Sequence, residues 1–266
     1  MASEQTIDVG TVPGAEEINM QEGNSHGVLL LHGFGDTPQT LRLLAGELHA
    51  EGYDVVAPLL PGHGRNVESF LRSRRGDWLA CARVEYARLR TTHRSVALAG
   101  LSMGGALAAV LAAENPDTSS LVLMAPYLDM KPRVKLAAAS QWIWNSAAGA
   151  RKSTSPNSIL DPGEREKNLG YGGVYSGRLL YELWRLTALA RSSLSAITAP
   201  TLLIQSRTDP RVASVVAENA FAAIGAQEKK LVWIEGAGHV ITVDYGRAKV
   251  FEEVTTWITG HTPTKR

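Results

Sequence analysis

The chain has 266 residues, of which 44% are hydrophobic and 20% are charged, a composition typical of a folded globular protein. Its formal net charge is +1 and the charged residues of both signs are interspersed, so nothing indicates a nucleic-acid partner or a membrane-surface partner. No stretch approaches the roughly 20 apolar residues that a membrane-spanning helix needs, so we expect no stable membrane insertion.

Two features bear on the compartment. The segment before Met20 is polar and acidic, without the basic start and apolar run of a signal peptide. The single cysteine, Cys81, excludes an internal disulfide and fits a reducing environment. We therefore expect a cytoplasmic protein.

The first half of the chain alternates strands with helices. Thr37 and Pro38 read as an N-cap and a first helical residue, which predicts a helix towards Ala50. Asp77 is predicted to cap a second helix that runs to Arg90. Short apolar runs predict strands at 17–20, 28–31, 53–57, 95–99 and 121–124.

One stretch, residues 96–105 (VALAGLSMGG), combines a strand, a tight turn and the start of an alanine-rich helix. Within it, Gly100, Ser102 and Gly104 form a G-x-S-x-G motif. A serine presented on such a turn is clear of its neighbours, and side chains two positions to either side would collide, so glycine is required there. The positive end of the following helix favours negative charge at the same spot. The motif therefore indicates a nucleophilic serine, and the alternative is a glycine-rich turn with an incidental serine.

The alternation breaks between positions 127 and 195. No strand is predicted there, only helical stretches at 135–144 and 178–191, and the pattern resumes with strands at 201–205 and 231–234 and helices at 213–224 and 245–259. Strands separated by helices predict a mostly parallel, doubly wound α/β sheet with right-handed crossovers. We expect a core of residues 1–126 and 196–266, with residues 127–195 inserted as a helical cap at the functional face.

A nucleophilic serine needs a histidine to accept its proton. His239 follows a late strand in a glycine-containing loop, which is where the base is expected after the serine. His32 and His63 precede the serine in glycine loops, where a role in holding the backbone is predicted. The remaining histidines are in polar contexts that suggest exposure, namely His26, His49, His93 and His261.

The histidine in turn needs a carboxylate that orients it. Asp209 follows the strand at 201–205, one strand–helix unit before His239, and is the favoured candidate. Asp129 is the alternative, since it follows the strand directly after the serine motif. Asp244 is predicted instead to cap the last helix.

Acyl transfer also needs donors for the oxyanion. The backbone N–H groups of Met103, which follows the serine, and of Phe34, in the loop after the strand at 28–31, are the predicted pair. This set predicts attack by Ser102, an acyl-enzyme, and hydrolysis by water that His239 activates, with no metal and no organic cofactor required.

With these residues in place, the chain resembles the α/β-hydrolase superfamily, and most closely bacterial carboxylesterases and monoacylglycerol lipases with a small helical cap. The stretches that carry the resemblance are LLLHGFGDTPQTLRLLA, APLLPGHG, GLSMGGALA, PTLLIQSRTDP and EGAGHVITVD. The resemblance implies that the nucleophile, acid and base are Ser102, Asp209 and His239, with Phe34 and Met103 as oxyanion donors. It further implies that small-molecule esters of short or medium acyl chains, or monoacylglycerols, are hydrolysed.

The chain departs from that family after the acid. Many relatives carry a Val-Val-Pro-like run, whereas this chain has Pro210, Arg211, Val212 and Ala213. The insertion also matches least, and its aromatic residues could line an acyl tunnel or pack between cap and body: Trp142, Trp144, Tyr171, Tyr175, Tyr181 and Trp184.

Other functions stay open at this point. The same three residues could cleave a thioester or a carbon–carbon bond, or perform perhydrolysis. A catalytically silent receptor is a further alternative. The presence of all three residues argues against it, because a receptor need not keep them. Dehalogenases and epoxide hydrolases of this fold are disfavoured, because they carry an aspartate where this chain has Ser102.

Overall fold

The computed structural model describes residues 10–148, 150–152, 158–171 and 173–263. Its strands are β1 (Ile18–Met20), β2 (His26–Leu31), β3 (Asp54–Ala57), β4 (Ser95–Leu101), β5 (Leu121–Met124), β6 (Arg151–Lys152), β7 (Val174–Tyr175), β8 (Thr201–Ser206) and β9 (Lys229–Ile234). The α-helices are α1 (Arg42–Ala50), α2 (Val67–Arg72), α3 (Arg75–Thr92), α4 (Met103–Glu114), α5 (Pro132–Ala139), α6 (Gln141–Ala148), α7 (Pro162–Lys167), α8 (Gly177–Ser193), α9 (Ser214–Ala223) and α10 (Arg247–Gly260).

Seven of these strands form one sheet in the order β1-β3-β2-β4-β5-β8-β9. β1 is antiparallel to β3, and every other pair in this sheet is parallel. The carboxyl ends of β2, β4, β5, β8 and β9 therefore meet at the same edge, which is where ligands bind in open α/β sheets. This topology confirms the predicted α/β-hydrolase fold.

The central strands are apolar because both of their faces are covered. Leu29 and Leu31 pack into one hydrophobic cluster with α3, α4 and α8, whereas Val28 and Leu30 pack into the other with α1 and α10. Helix α4 is buried along most of its length, and its alanines allow it to lie close to the sheet. The serine motif at its start is thereby fixed at the centre of the molecule.

Several local predictions were wrong. Asp77 does not cap α3, because the helix begins at Arg75 with Arg74 at the N-cap, which places Asp77 in the first turn. His93 is buried and not exposed, with its Nε2 3.1 Å from Asp54 Oδ2. Helices α2 and α7 were not predicted, and 127–195 holds two short strands, β6 and β7, paired antiparallel. The division into a core and a cap at 127 and 195 stays a prediction.

Candidate active site

Ser102 lies between β4 and α4 in a backbone conformation that non-glycine residues rarely adopt, with φ of 56° and ψ of −115°. Two hydrogen bonds hold it there: its N–H donates to the Met124 carbonyl at 2.9 Å, and its carbonyl accepts the Tyr127 N–H at 2.9 Å. The strained turn is thus anchored to the end of β5. This is the geometry that the G-x-S-x-G spacing predicts.

The two glycines of the motif are required by contact distances. A Cβ on Gly100 would overlap the carbonyl of Gly104, and a Cβ on Gly104 would overlap the carbonyl of Leu31. In both cases the obstacle is backbone, which cannot move aside as a side chain can. Neither position tolerates even alanine without displacing β2 or the start of α4.

Three predicted site residues form one hydrogen-bonded chain. The Ser102 hydroxyl lies 2.7 Å from His239 Nε2, and His239 Nδ1 lies 2.7 Å from Asp209 Oδ2. The imidazole is almost buried, and the Asp209 side chain is fully so. A neutral imidazole that donates to the carboxylate through Nδ1 leaves Nε2 free to accept the serine proton.

Asp209 is held as an anion. Burial alone would raise its pKa, but the adjacent His239 and the N–H groups of Val212 and Arg211 together bring the pKa below its ordinary value. Those N–H groups reach Oδ1 at 3.0 and 2.7 Å, and Gln205 Nε2 donates to Oδ2 at 2.8 Å. The carboxylate therefore has partners on both oxygens besides the imidazole.

The alternative acid lies elsewhere in the structure. Asp129 Oδ1 forms ion pairs with Lys135 at 2.7 Å and Arg191 at 2.9 Å, and it accepts the Met130 N–H. These contacts tie the end of β5 to α5 and α8. Asp209, and not Asp129, is the carboxylate that contacts His239.

The predicted oxyanion donors have free N–H groups. Met103 is the first residue of α4, and Phe34 lies in the loop after β2. Within the described part of the chain, neither N–H has an acceptor. The loop lies against the serine, since a Cβ on Gly33 would be 3.4 Å from Ser102 Cβ.

Two buried histidines hold this loop, as their glycine-rich surroundings suggested. His32 Nε2 accepts the Leu60 N–H at 3.1 Å, and His63 Nε2 accepts the Gly35 N–H at 3.2 Å. Burial lowers the pKa of His63 to about 4, and burial lowers that of His32 well below its ordinary value. Both rings are therefore neutral at pH 7 and can accept, which fixes the Phe34 loop against the loop after β3.

Asp244 is not the N-cap of α10, which begins at Arg247 after Gly246. Its buried carboxylate accepts four backbone N–H groups: Leu160 at 2.8 Å, Asp161 at 2.9 Å, Gly238 at 2.7 Å and Tyr245 at 2.8 Å. It thus joins the loop that carries His239 to residues 160–161 of the insertion. No local sequence signal identifies this role, since the partners lie up to 84 residues away.

The insertion holds the His239 loop a second time. The Ser158 carbonyl accepts the His239 N–H at 2.7 Å and the Val240 N–H at 3.1 Å. Gly238 makes room for this contact, because a Cβ there would crowd the same carbonyl. The position of the imidazole therefore depends on residues 158–161 as well as on the sheet.

A cavity of about 850 Å³ opens onto Ser102 and His239. Its apolar lining comes from the loop after β2, the end of β5 and the insertion, and includes Phe34, Tyr127, Val134, Trp144, Tyr175, Leu180 and Leu183. The aromatic residues of the insertion divide between the two roles left open by the sequence. Trp144 and Tyr175 line the cavity, whereas Tyr171 and Trp184 pack against the core and Trp142 is exposed.

Comparison with known proteins gives the family. The model of the Hydrolase_4 family, described as serine aminopeptidase S33, matches residues 24–245. A thermostable monoacylglycerol lipase of Bacillus sp. (strain H-257) is 31% identical over 93% of this chain and 96% of its own length. A carboxylesterase of Bacillus subtilis (strain 168) is 28% identical over 88% of this chain and 92% of its own length.

Solved structures agree in fold. A structure reported with LipS and LipT, two metagenome-derived lipolytic enzymes, superposes with a TM-score of 0.86 at 29% identity, covering 95% of this chain and all of the other. A monoacylglycerol lipase from Paleococcus ferrophilus superposes with a TM-score of 0.80 at 20% identity, covering 92% and 98% of the two chains. Among the described residues, no helix is both long and apolar enough to cross a membrane. The extent of the family match, supported by these relatives, shows that the chain belongs to the Hydrolase_4 (serine aminopeptidase S33) family of α/β-hydrolases.

Proposed function

We propose that this protein is a serine hydrolase of carboxylic esters, with Ser102 as nucleophile, His239 as general base and acid, and Asp209 as the orienting carboxylate. The observation that carries the proposal is the unbroken hydrogen-bonded chain from the Ser102 hydroxyl through His239 to Asp209, in which Ser102 and His239 line a cavity. No metal or organic cofactor takes part.

The reaction has two halves. His239 Nε2 accepts the Ser102 proton as the oxygen attacks the ester carbonyl, and the imidazolium then protonates the departing alcohol. Water enters, His239 accepts its proton, and attack on the acyl-enzyme releases the carboxylic acid and restores Ser102. The negative charge on the tetrahedral oxygen is stabilised by the N–H groups of Phe34 and Met103.

We infer esters of short or medium acyl chains, or monoacylglycerols, as substrates. The support is the identity to a monoacylglycerol lipase and a carboxylesterase over most of both chains, together with the apolar lining of the cavity. In this proposal residues 127–195 are the cap that shapes the acyl site. We also propose a cytoplasmic location, supported by the single cysteine, which fractionation of a tagged protein would test.

The family description also raises peptide hydrolysis. An aminopeptidase must hold the ammonium group of its substrate, and a desolvated ammonium requires a carboxylate or several acceptors. The described residues that line the cavity include no aspartate and no glutamate. This lining favours an ester over an amino-terminal peptide.

The test is a substrate panel on purified protein beside its Ser102→Ala variant. The panel contains p-nitrophenyl esters and monoacylglycerols of increasing acyl length, a matched thioester, a diketone and an aminoacyl anilide. We expect turnover of the oxygen esters that Ser102→Ala loses by roughly 10⁴-fold or more. Turnover of only the thioester, the diketone or the anilide would refute the ester assignment, and no turnover at all would favour a receptor.

A further inference from the structure

The cavity above Ser102 is lined by basic side chains without any acidic one. Five cations contribute to it: Lys131, Arg133, Arg151, Lys152 and Arg211. Among the described lining residues none is an aspartate or a glutamate. Positions 149, 153–157 and 172 are Gly, Ser, Thr, Ser, Pro, Asn and Gly in the sequence, so they carry no charged side chain.

Among the described residues, the contacts of these cations are with groups that carry no negative charge. Lys131 donates to the Pro210 carbonyl at 3.2 Å, Arg211 Nε donates to Ser158 Oγ at 2.8 Å, and the Arg151 guanidinium lies 5.4 Å from the centre of the Trp144 ring. Within the described part of the chain, none of the five forms an ion pair. The nearby carboxylates of Asp129 and Asp209 are already committed to other partners.

Several cations elsewhere in the described chain do pair with carboxylates. Arg83 contacts Glu114 at 2.6 Å, Arg75 contacts Glu182 at 2.6 Å, and Lys249 contacts Glu253 at 2.8 Å. Five unpaired cations around one cavity, in a protein of net charge +1, are therefore a local concentration of positive charge. Like charges that converge on a cleft raise the local concentration of anions and favour their binding.

Arg211 is the best placed of the five. It is half-buried, and its backbone N–H donates to Asp209 Oδ1 at 2.7 Å, so it is part of the turn that carries the acid. Of the three guanidinium nitrogens of Arg211, only Nε has a protein partner among the described residues. The two terminal nitrogens are therefore left for a ligand. A planar guanidinium with free terminal N–H groups is suited to a carboxylate or a phosphate.

We propose that the substrate is a single-chain ester with an anionic headgroup, a carboxylate or a phosphate, which Arg211 and the other cations of the cavity bind. The inference rests on the proposed ester hydrolysis. Val134, Leu180 and Leu183 supply the apolar surface for the acyl chain, and the cations take the headgroup. The anionic group does not take part in bond making or breaking, which follows the two halves described above.

The experiment compares 1-octanoylglycerol with 1-octanoylglycerol 3-phosphate and with monooctanoylglycerol hemisuccinate, all at concentrations where they are monomeric. We expect kcat/KM for the anionic esters to exceed that for the neutral ester by about tenfold or more, the effect of one charge-assisted hydrogen bond. A phosphate preference over the hemisuccinate, or the reverse, identifies which anion the site takes. The preference must shrink as NaCl is raised from about 0.05 M to about 0.5 M, because salt screens the attraction.

Variants locate the effect. Arg211→Gln should lower the ratio of anionic to neutral kcat/KM by about tenfold, mainly through KM. If that variant does not fold, the triple variant Lys131→Gln, Arg133→Gln, Lys152→Gln at exposed positions should lower the same ratio. The control is Arg94→Gln, an exposed cation at the opposite end of β4 from Ser102, which should leave the ratio unchanged.

The outcomes separate the two proposals. Equal kcat/KM for neutral and anionic monomers would overturn the headgroup inference and leave ester hydrolysis standing. No hydrolysis of any of the esters above the Ser102→Ala level would overturn the proposed function itself. If the anionic esters are preferred only when they are presented in anionic vesicles, the cations would be assigned to a membrane surface. That result would also overturn the inference.

Discussion

Replacing Asp244 tests whether His239 is held in place by the contacts described above. The carboxylate accepts four backbone N–H groups, two on each oxygen, from both the His239 loop and residues 160–161. Asp244→Ala removes both acceptor oxygens, and with them all four hydrogen bonds, at a residue that is 1% exposed. Hydrogen bonds to a charged group contribute about 1.5–3 kcal/mol each, but they are not additive and some of the released N–H groups will reach water. We expect a loss of about 3–5 kcal/mol in the free energy of unfolding.

Activity should fall together with stability, because one of the lost hydrogen bonds comes from Gly238, which directly precedes His239. A displaced imidazole should lower kcat for a short p-nitrophenyl ester by roughly tenfold to a hundredfold, with less effect on KM. Urea unfolding and steady-state kinetics measure the two effects. Asp161→Ala is the matched control, because the Asp161 side chain caps the exposed helix α7 and its loss should cost only about 1 kcal/mol. Wild-type kcat in Asp244→Ala, with a stability loss below about 1 kcal/mol, would refute the reasoning.

Three further predictions follow from the site. Asp209→Asn should lower kcat by about 10³–10⁴-fold while Asp129→Asn changes it little, and steady-state kinetics on an ester would show the reverse if Asp129 were the acid. Ser102→Gly should have a free energy of unfolding about 1 kcal/mol higher than Ser102→Ala, since glycine adopts the positive φ without strain. Equal urea midpoints for the two variants would show that the turn is unstrained. Burial raises the pKa of Asp36 to about 6, so protonation of this carboxylate stabilises the folded state as the pH falls from 6 towards 4. The lowered pKa of His63 destabilises the folded state as the pH falls from 6.5 towards 4. In urea titrations across this range, Asp36→Asn should lose stability more steeply towards acid than wild type, by on the order of 2 kcal/mol, and parallel curves would contradict this.

The sheet and the serine turn could be predicted because their signals are local. Runs such as 28–31 and 121–124 are apolar at every position, which marks strands covered on both faces. Gly100 and Gly104 mark the turn because backbone crowds both positions. The contact between His239 and Asp209 could be predicted from their order after the serine and from the strands that they follow.

The structural features that could not be predicted from the sequence depend on contacts between distant segments. Asp244 looked like a helix cap because it precedes α10, yet its partners lie in the His239 loop and the insertion. His93 looked exposed in a polar stretch, but the fold pairs it with Asp54, 39 residues earlier. The short hairpin of β6 and β7 has two residues in each strand, too few for any periodicity.

The most direct test of the account is labelling with a fluorophosphonate, followed by intact mass and peptide mapping. A fluorophosphonate reacts with a serine whose hydroxyl an adjacent base activates, which is the state that the 2.7 Å contact between Ser102 Oγ and His239 Nε2 implies. We predict one adduct per chain, on Ser102, with loss of ester hydrolysis in proportion to labelling and no adduct on Ser102→Ala. An adduct on another residue, or ester hydrolysis that persists in the fully labelled protein, would contradict it.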